Sequence, residues 1–178
     1  KPIAVILTHG HLDHTFSVTP IADGYDIPVL IHKSDAPVLS NLWHLMMRGG
    51  PIDSMLQQLG NPDFVAPAKV TELEDSFDFD IAGMKFHAQV APGHTRGSTL
   101  FTVDESFLLS GDVLFAGSIG RTDLPTGNSD EMKKTLTHHI LTLPDELIVL
   151  PGHGEKTTIG RERSRNPYLT ERFLLSKE

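Results

Sequence analysis

The sequence predicts a layered α/β domain with helices outside the sheets. Short apolar runs rich in β-branched residues recur along the chain and end on glycine-bearing loops, and segments with helix-start signals lie between them. At 178 residues, 39% hydrophobic and 21% charged, the chain suits one domain, 1–178, with a real core.

Ile3–Leu7 reads as a buried strand delivering the loop Thr8-His9-Gly10, and Val29–Ile31 after Pro28 repeats the pattern. Phe16–Ala22 between them is expected to be a short helix or turn that Pro20 limits. Asp35-Ala36-Pro37 suits a helix start, and Gly49-Gly50-Pro51 divides the stretch to Leu59 into two expected helices. Trp43, Met46, Met47, Met55 and Leu56 in that stretch read as apolar faces packed on the core, with pocket lining as the alternative. From Lys69 the chain turns β-like: Phe77–Ile81, a hairpin turn at Gly83, Lys85–Val90, Thr99–Val103 and Phe107–Leu109. Ser129-Asp130-Glu131 opens a helix to about Leu143, with Met132, Leu136 and Ile140 on one face and Pro144 as its stop. Leu147–Leu150 is another buried strand, and Ile159–Arg165 a final helix.

Composition narrows the chemistry. With no cysteine there are no disulfides, thiolate metal sites or cysteine nucleophile, so any metal sits on nitrogen and oxygen. A formal charge of −8 argues against a general nucleic-acid binder, which needs basic surface. No apolar run approaches the ~20 residues that cross a bilayer, so no membrane partner is expected; the lack of cysteine is compatible with a reducing compartment, and the cytoplasm is the expected location. Lys1-Pro2 runs straight into the first apolar run, so a native N-terminus and any signal on it are expected to be missing.

The strongest signal is Thr8-His9-Gly10-His11-Leu12-Asp13-His14, in which three imidazoles and a carboxylate fall within six positions. On extended backbone His9 and His11 point the same way and can grip one metal ion, while Asp13 and His14, past the turn, can face a second. His94, Asp112 and His153 each follow an apolar run and stand beside glycine, which lets the chain bend so that the side chains converge.

The run His9 to His14, followed by His94, Asp112 and His153, resembles the metallo-β-lactamase superfamily, and best its glyoxalase-II-like hydrolase branch, over nearly the whole chain. The resemblance implies a four-layer αββα sandwich with metals at one edge. It assigns His9, His11 and His94 to a first ion, Asp13, His14 and His153 to a second, and Asp112 as the bridge, with Asp13 and Asp112 taking part in catalysis. Two divalent ions, zinc first and iron or manganese as alternatives, are expected. The family begins with several strands ahead of this motif; those strands are absent here, and part of one sheet is unaccounted for.

The absent cysteine disfavours the cysteine-containing zinc β-lactamases. Phe115–Asp123 and the tail Thr157–Arg163 with Asn166-Pro167-Tyr168 resemble short bacterial glyoxalase-II-like proteins, which lack the helical domain that holds glutathione. The lysine and tyrosine of glyoxalase II are replaced by Arg121 and Asp123, which puts glutathione as carrier in question; Arg121 either binds a small-molecule acyl substrate or pairs with Asp123. The activity implied is attack of a metal-bridging hydroxide on a thioester such as an acyl-glutathione. The alternatives are a mononuclear iron persulfide dioxygenase using His9, His94 and Asp112, and a lactonase or other acyl hydrolase on the same metals. Oligomeric state is not legible.

Overall fold

A computed structural model describes residues 1–40, 58 and 65–176. The helices expected between Gly49-Gly50-Pro51 and its flanks, with Trp43, His44 and the neighbouring methionines, lie outside the described residues.

Three apolar clusters divide the protein into four layers, and strand alternation creates them. In β1 (Val5–Ile6) and β2 (Val29–His32), Val5, Val29 and Ile31 face one way onto Val18 and Ala22 of a helix, while Ile6 and Leu30 face the other way onto Phe86, Ala88 and Phe101. In the second sheet Phe101 and Leu109 join that middle layer, whereas Leu100, Leu108 and Val149 turn outward onto Met132, Leu136, Ile140 and Ile159. The order is helix, sheet, sheet, helices, the αββα sandwich.

The first sheet is parallel, β1-β2-β3, with β3 at Val70–Leu73. The second has six strands: β4 (Ser76–Ile81), β5 (Met84–Val90), β6 (Thr99–Val103) and β7 (Phe107–Gly111), continued by β10 (Ile148–Pro151) and β11 (Thr157–Thr158). The β4–β5 turn is Ala82-Gly83, both at positive φ (55° and 78°), the two-residue geometry whose twist suits a hairpin. β8 (Leu114–Phe115) and β9 (Ser118–Ile119) form a separate small hairpin.

Four local expectations need correction. The region of Phe16–Ala22 is a full helix, α2 (Val18–Tyr25), after a short α1 (Leu12–Thr15). Pro20 does not break it because it stands in the first turn, where the missing N–H has no acceptor to lose. Ala36–Leu39 is a single 3-10 turn. The helix after Asn128, α3 (Ser129–Thr135), is capped by the Asn128 side chain accepting from Glu131 N, then widens over Leu136–Ile140, where Leu141 N reaches Leu136 O at 2.9 Å, and ends before Leu143. After α4 (Ile159–Arg165) come a turn at Pro167–Leu169 and α5 (Glu171–Leu174), which the sequence reading did not anticipate. No helix among the described residues is long and apolar enough to cross a membrane.

Candidate metal centre

Strand direction gathers the donors at one edge. β5 and β7 are each antiparallel to β6, and β7 is parallel to β10, so the C-terminal ends of β5, β7 and β10 lie together. Those ends carry His94, Asp112 and His153. The end of β1 is tied to the same edge by Thr99 N donating to Thr8 O at 2.8 Å, and it delivers His9, His11 and the one-turn helix bearing Asp13 and His14. Gly93 (φ +144°) lets the His94 loop lie against α3, for a Cβ there would stand 2.5 Å from the Met132 main chain.

All seven predicted donors meet. Ligand atoms of His9, His11 and His94 form one close group, His9, His14 and Asp112 another, and Asp13, His14 and His153 a third. Ligands about 2.0–2.1 Å from a tetrahedral ion lie about 3.3–3.4 Å from each other. Here Asp13 Oδ2 is 3.1 Å from His153 Nε2 and 3.6 Å from His14 Nε2, and the two imidazole nitrogens are 3.2 Å apart. Asp112 faces both sides: Oδ1 is 3.4 Å from His14 Nε2, and Oδ2 is 3.5 Å from both His94 Nε2 and His153 Nε2.

Hydrogen bonding orients the rings. His94 Nδ1 donates to the Arg121 carbonyl oxygen at 2.8 Å, since a carbonyl can only accept, so Nε2 of the neutral ring directs a lone pair into the site. His11 Nδ1 stands 2.7 Å from that nitrogen, so the two rings present neighbouring donor atoms. His9 Nε2 is buried with no hydrogen-bond partner among the described residues, and so is Asp112 Oδ1. Buried polar atoms of this kind ask for an ion or ligand.

Electrostatics agree with that demand. Burial first, then His14, pushes His9 far below the usual imidazole range; burial, then His94, pushes His11 down to about 4; burial also lowers His94. Neutral imidazoles are the ligand form. Burial raises Asp112, the cost of keeping a carboxylate where no cation balances it. The donor set therefore fits divalent metal ions, hard enough for carboxylate and suited to imidazole.

A cavity of about 460 Å³ opens over the donors, walled by Leu12, Phe115, Leu124 and Arg121. Leu12, Phe115 and Leu124 were not singled out as site residues in the sequence; apolar side chains carry no local mark of lining a pocket. The Arg121 guanidinium makes two 2.7 Å bonds to Asp123, holding that carboxyl down at about 2. Of the two roles read for Arg121, the structure displays the pairing, and its backbone carbonyl orients His94.

The chain belongs to the metallo-β-lactamase superfamily, whose family model matches residues 1–153 and so spans every donor. It is similar to an uncharacterized protein of Mycobacterium tuberculosis (38% identity, 94% of this chain and 76% of that protein). It is also similar to a probable metallo-hydrolase of Bacillus subtilis and to the hydroxyacylglutathione hydrolase GloC of Haemophilus influenzae, each 33% identical over 94% of this chain and 76% of the relative. Among solved structures, the BLEG-1 B3 metallo-beta-lactamase superposes with a TM-score of 0.76 at 35% identity, and TTHA1623 in a di-iron-bound form with 0.76 at 33%; each match covers 95% of this chain and 78% of that one.

Proposed function

We propose that this chain hydrolyses an activated acyl compound, a thioester of a low-molecular-weight thiol, with two divalent ions of which zinc is the first candidate. The observation that carries the reading is Asp112: its two oxygens stand at ligand spacing from histidines of both donor groups, so one carboxylate would join two sites. His9, His11 and His94 would hold one ion, and Asp13, His14 and His153 the other. Bound ions of this kind acidify a water to hydroxide near neutral pH and polarise the scissile carbonyl.

The protein's own residues do the rest. His94 is locked by the Arg121 carbonyl and Asp112 follows directly on β7, so the donors beside which a substrate's carbonyl carbon would sit are held in place. Leu12, Phe115 and Leu124 give that carbon's substituents an apolar wall and thin the water around it. Asp13 is the exposed carboxylate of the set, at the solvent side of the site. Hydrolysis forms the acyl C–O bond and breaks C–S; Asp13 can take the proton released by water and return it to the departing thiolate.

The relative named as a hydroxyacylglutathione hydrolase supports a thioester as the first compound to assay. The test is turnover of S-lactoylglutathione and other acyl thioesters by protein of measured metal content. Asp112→Ala is expected to lose at least one ion and to cost more than the about 10–100-fold typical of groups that merely support ligands. Near-normal turnover with both ions retained contradicts the bridging role. One iron per chain with oxygen consumed on glutathione persulfide replaces the hydrolase reading with the dioxygenase.

A further inference from the structure

A buried carboxylate outside the donor set binds both loops that carry the first histidine group. Asp35 is 3% exposed, and although it precedes the Ala36–Leu39 turn its side chain makes no cap hydrogen bond there. Its bonds go elsewhere: Oδ2 accepts from Gly10 N at 2.9 Å and from Thr95 Oγ1 at 2.6 Å, and Oδ1 accepts from Gly97 N at 2.8 Å. Gly10 is the residue between His9 and His11, and Thr95 follows His94.

We propose that Asp35 is the positioning residue of the first metal group, fixing His9 and His11 relative to His94 by clamping the main chain on either side. The inference rests on the metal-centre reading above and adds a residue to it. Rotation about the Gly10 peptide moves His9 and His11 against each other, and the Asp35 bond opposes that rotation. The same oxygen holds the Thr95 hydroxyl, which also meets Ser98 Oγ at 2.8 Å, so the His94 loop is tied at the point where it turns into β6. The His94 loop packs on the carboxylate too closely for a larger residue, since a Cβ on Gly97 would stand 2.6 Å from Asp35 Cγ, while a Cβ on Gly10 would clash with Val38 Cγ2 on the turn that follows Asp35. The clamp is distinct from a carboxylate bonded to a ligand imidazole, because every hydrogen bond of the Asp35 side chain among the described residues is to main chain or hydroxyl.

Asp35→Asn keeps the volume and replaces one acceptor oxygen by an NH2 that faces N–H donors. Zinc affinity of wild type and variant is measured by competition with a chromophoric chelator, beside the thermal unfolding of each stripped protein. The expected result is a folded variant whose zinc affinity is about 10–100-fold weaker, the range found when groups supporting metal ligands are removed. A folded Asp35→Asn with wild-type affinity overturns the proposal, even if its melting temperature drops, since that is what a merely structural carboxylate does. If Asp35→Asn does not fold, Thr95→Val and Thr95→Ser decide: weaker zinc binding in the valine variant with normal binding in the serine variant supports the clamp, and equal binding in both overturns it. Wild type that takes up no divalent ion sinks the metal-centre reading as well, which separates that failure from failure of the clamp alone.

Discussion

Glu162 offers a quantitative test of how the pocket wall is held. It is 1% exposed and accepts from Gly117 N at 2.7 Å, Asn166 Nδ2 at 2.9 Å and Thr157 Oγ1 at 2.6 Å. Asn166 Nδ2 in turn donates to Ser118 O at 3.0 Å. Through these bonds α4 grips the β8–β9 hairpin that follows Asp112 and the strand that follows His153. In Glu162→Gln the amide oxygen can keep the two bonds made by Oε2, while its NH2 meets a threonine hydroxyl that can turn to accept; the cost is the loss of charge assistance, about 1–2 kcal/mol. Glu162→Ala removes an acceptor from Thr157 and Asn166, which are buried, and from Gly117, which is exposed and can turn to water, and it opens a cavity. At about 1–3 kcal/mol for each of the two buried groups, with about 1–2 kcal/mol for the cavity and less what Thr157 recovers by rotating, the expected cost is about 3–6 kcal/mol. Urea unfolding of both variants, with amide exchange at Gly117, reads the difference. Alanine and glutamine variants within about 0.5 kcal/mol of each other, the usual limit of additivity error, refute the reasoning.

Three further outcomes follow from the same geometry. Met132→Ala, at a fully buried position under the second sheet, is expected to lower unfolding free energy by about 2–5 kcal/mol in a denaturant titration. Arg121→Gln is expected to retain the metal content of wild type by elemental analysis, because His94 is oriented by the carbonyl of residue 121 and not by its guanidinium. In metal-stripped protein, stability should be full above pH 6.5 and fall as pH drops toward 4. In that window the unfolded chain protonates an imidazole that buried His11 keeps neutral, and His11 alone accounts for on the order of 3 kcal/mol, readable from unfolding at stepped pH.

The donor residues were legible because their chemistry is local: His9 to His14 are close in sequence, and His94, Asp112 and His153 each stand beside glycine at the end of an apolar run. The layers were legible from alternation, as in Val29, Leu30 and Ile31, whose neighbours in space alternate between two cores. What escaped depends on tertiary context. Pro20 reads as a breaker until its place in the first turn of α2 is known, and the widened turn at Leu136–Ile140 leaves the apolar spacing that predicted the helix intact. Asp35 looks like an ordinary helix-start residue because its partners are 25 to 62 positions away.

Metal stoichiometry decides whether the Asp112 carboxylate joins two metal sites. Protein stripped with chelator, reloaded with zinc and freed of excess is assayed for metal per chain, beside Asp112→Ala and His153→Ala. Two ions are expected in wild type and fewer in each variant. A wild type saturating at one ion or none, or an Asp112→Ala protein that still holds two, contradicts the bridging role.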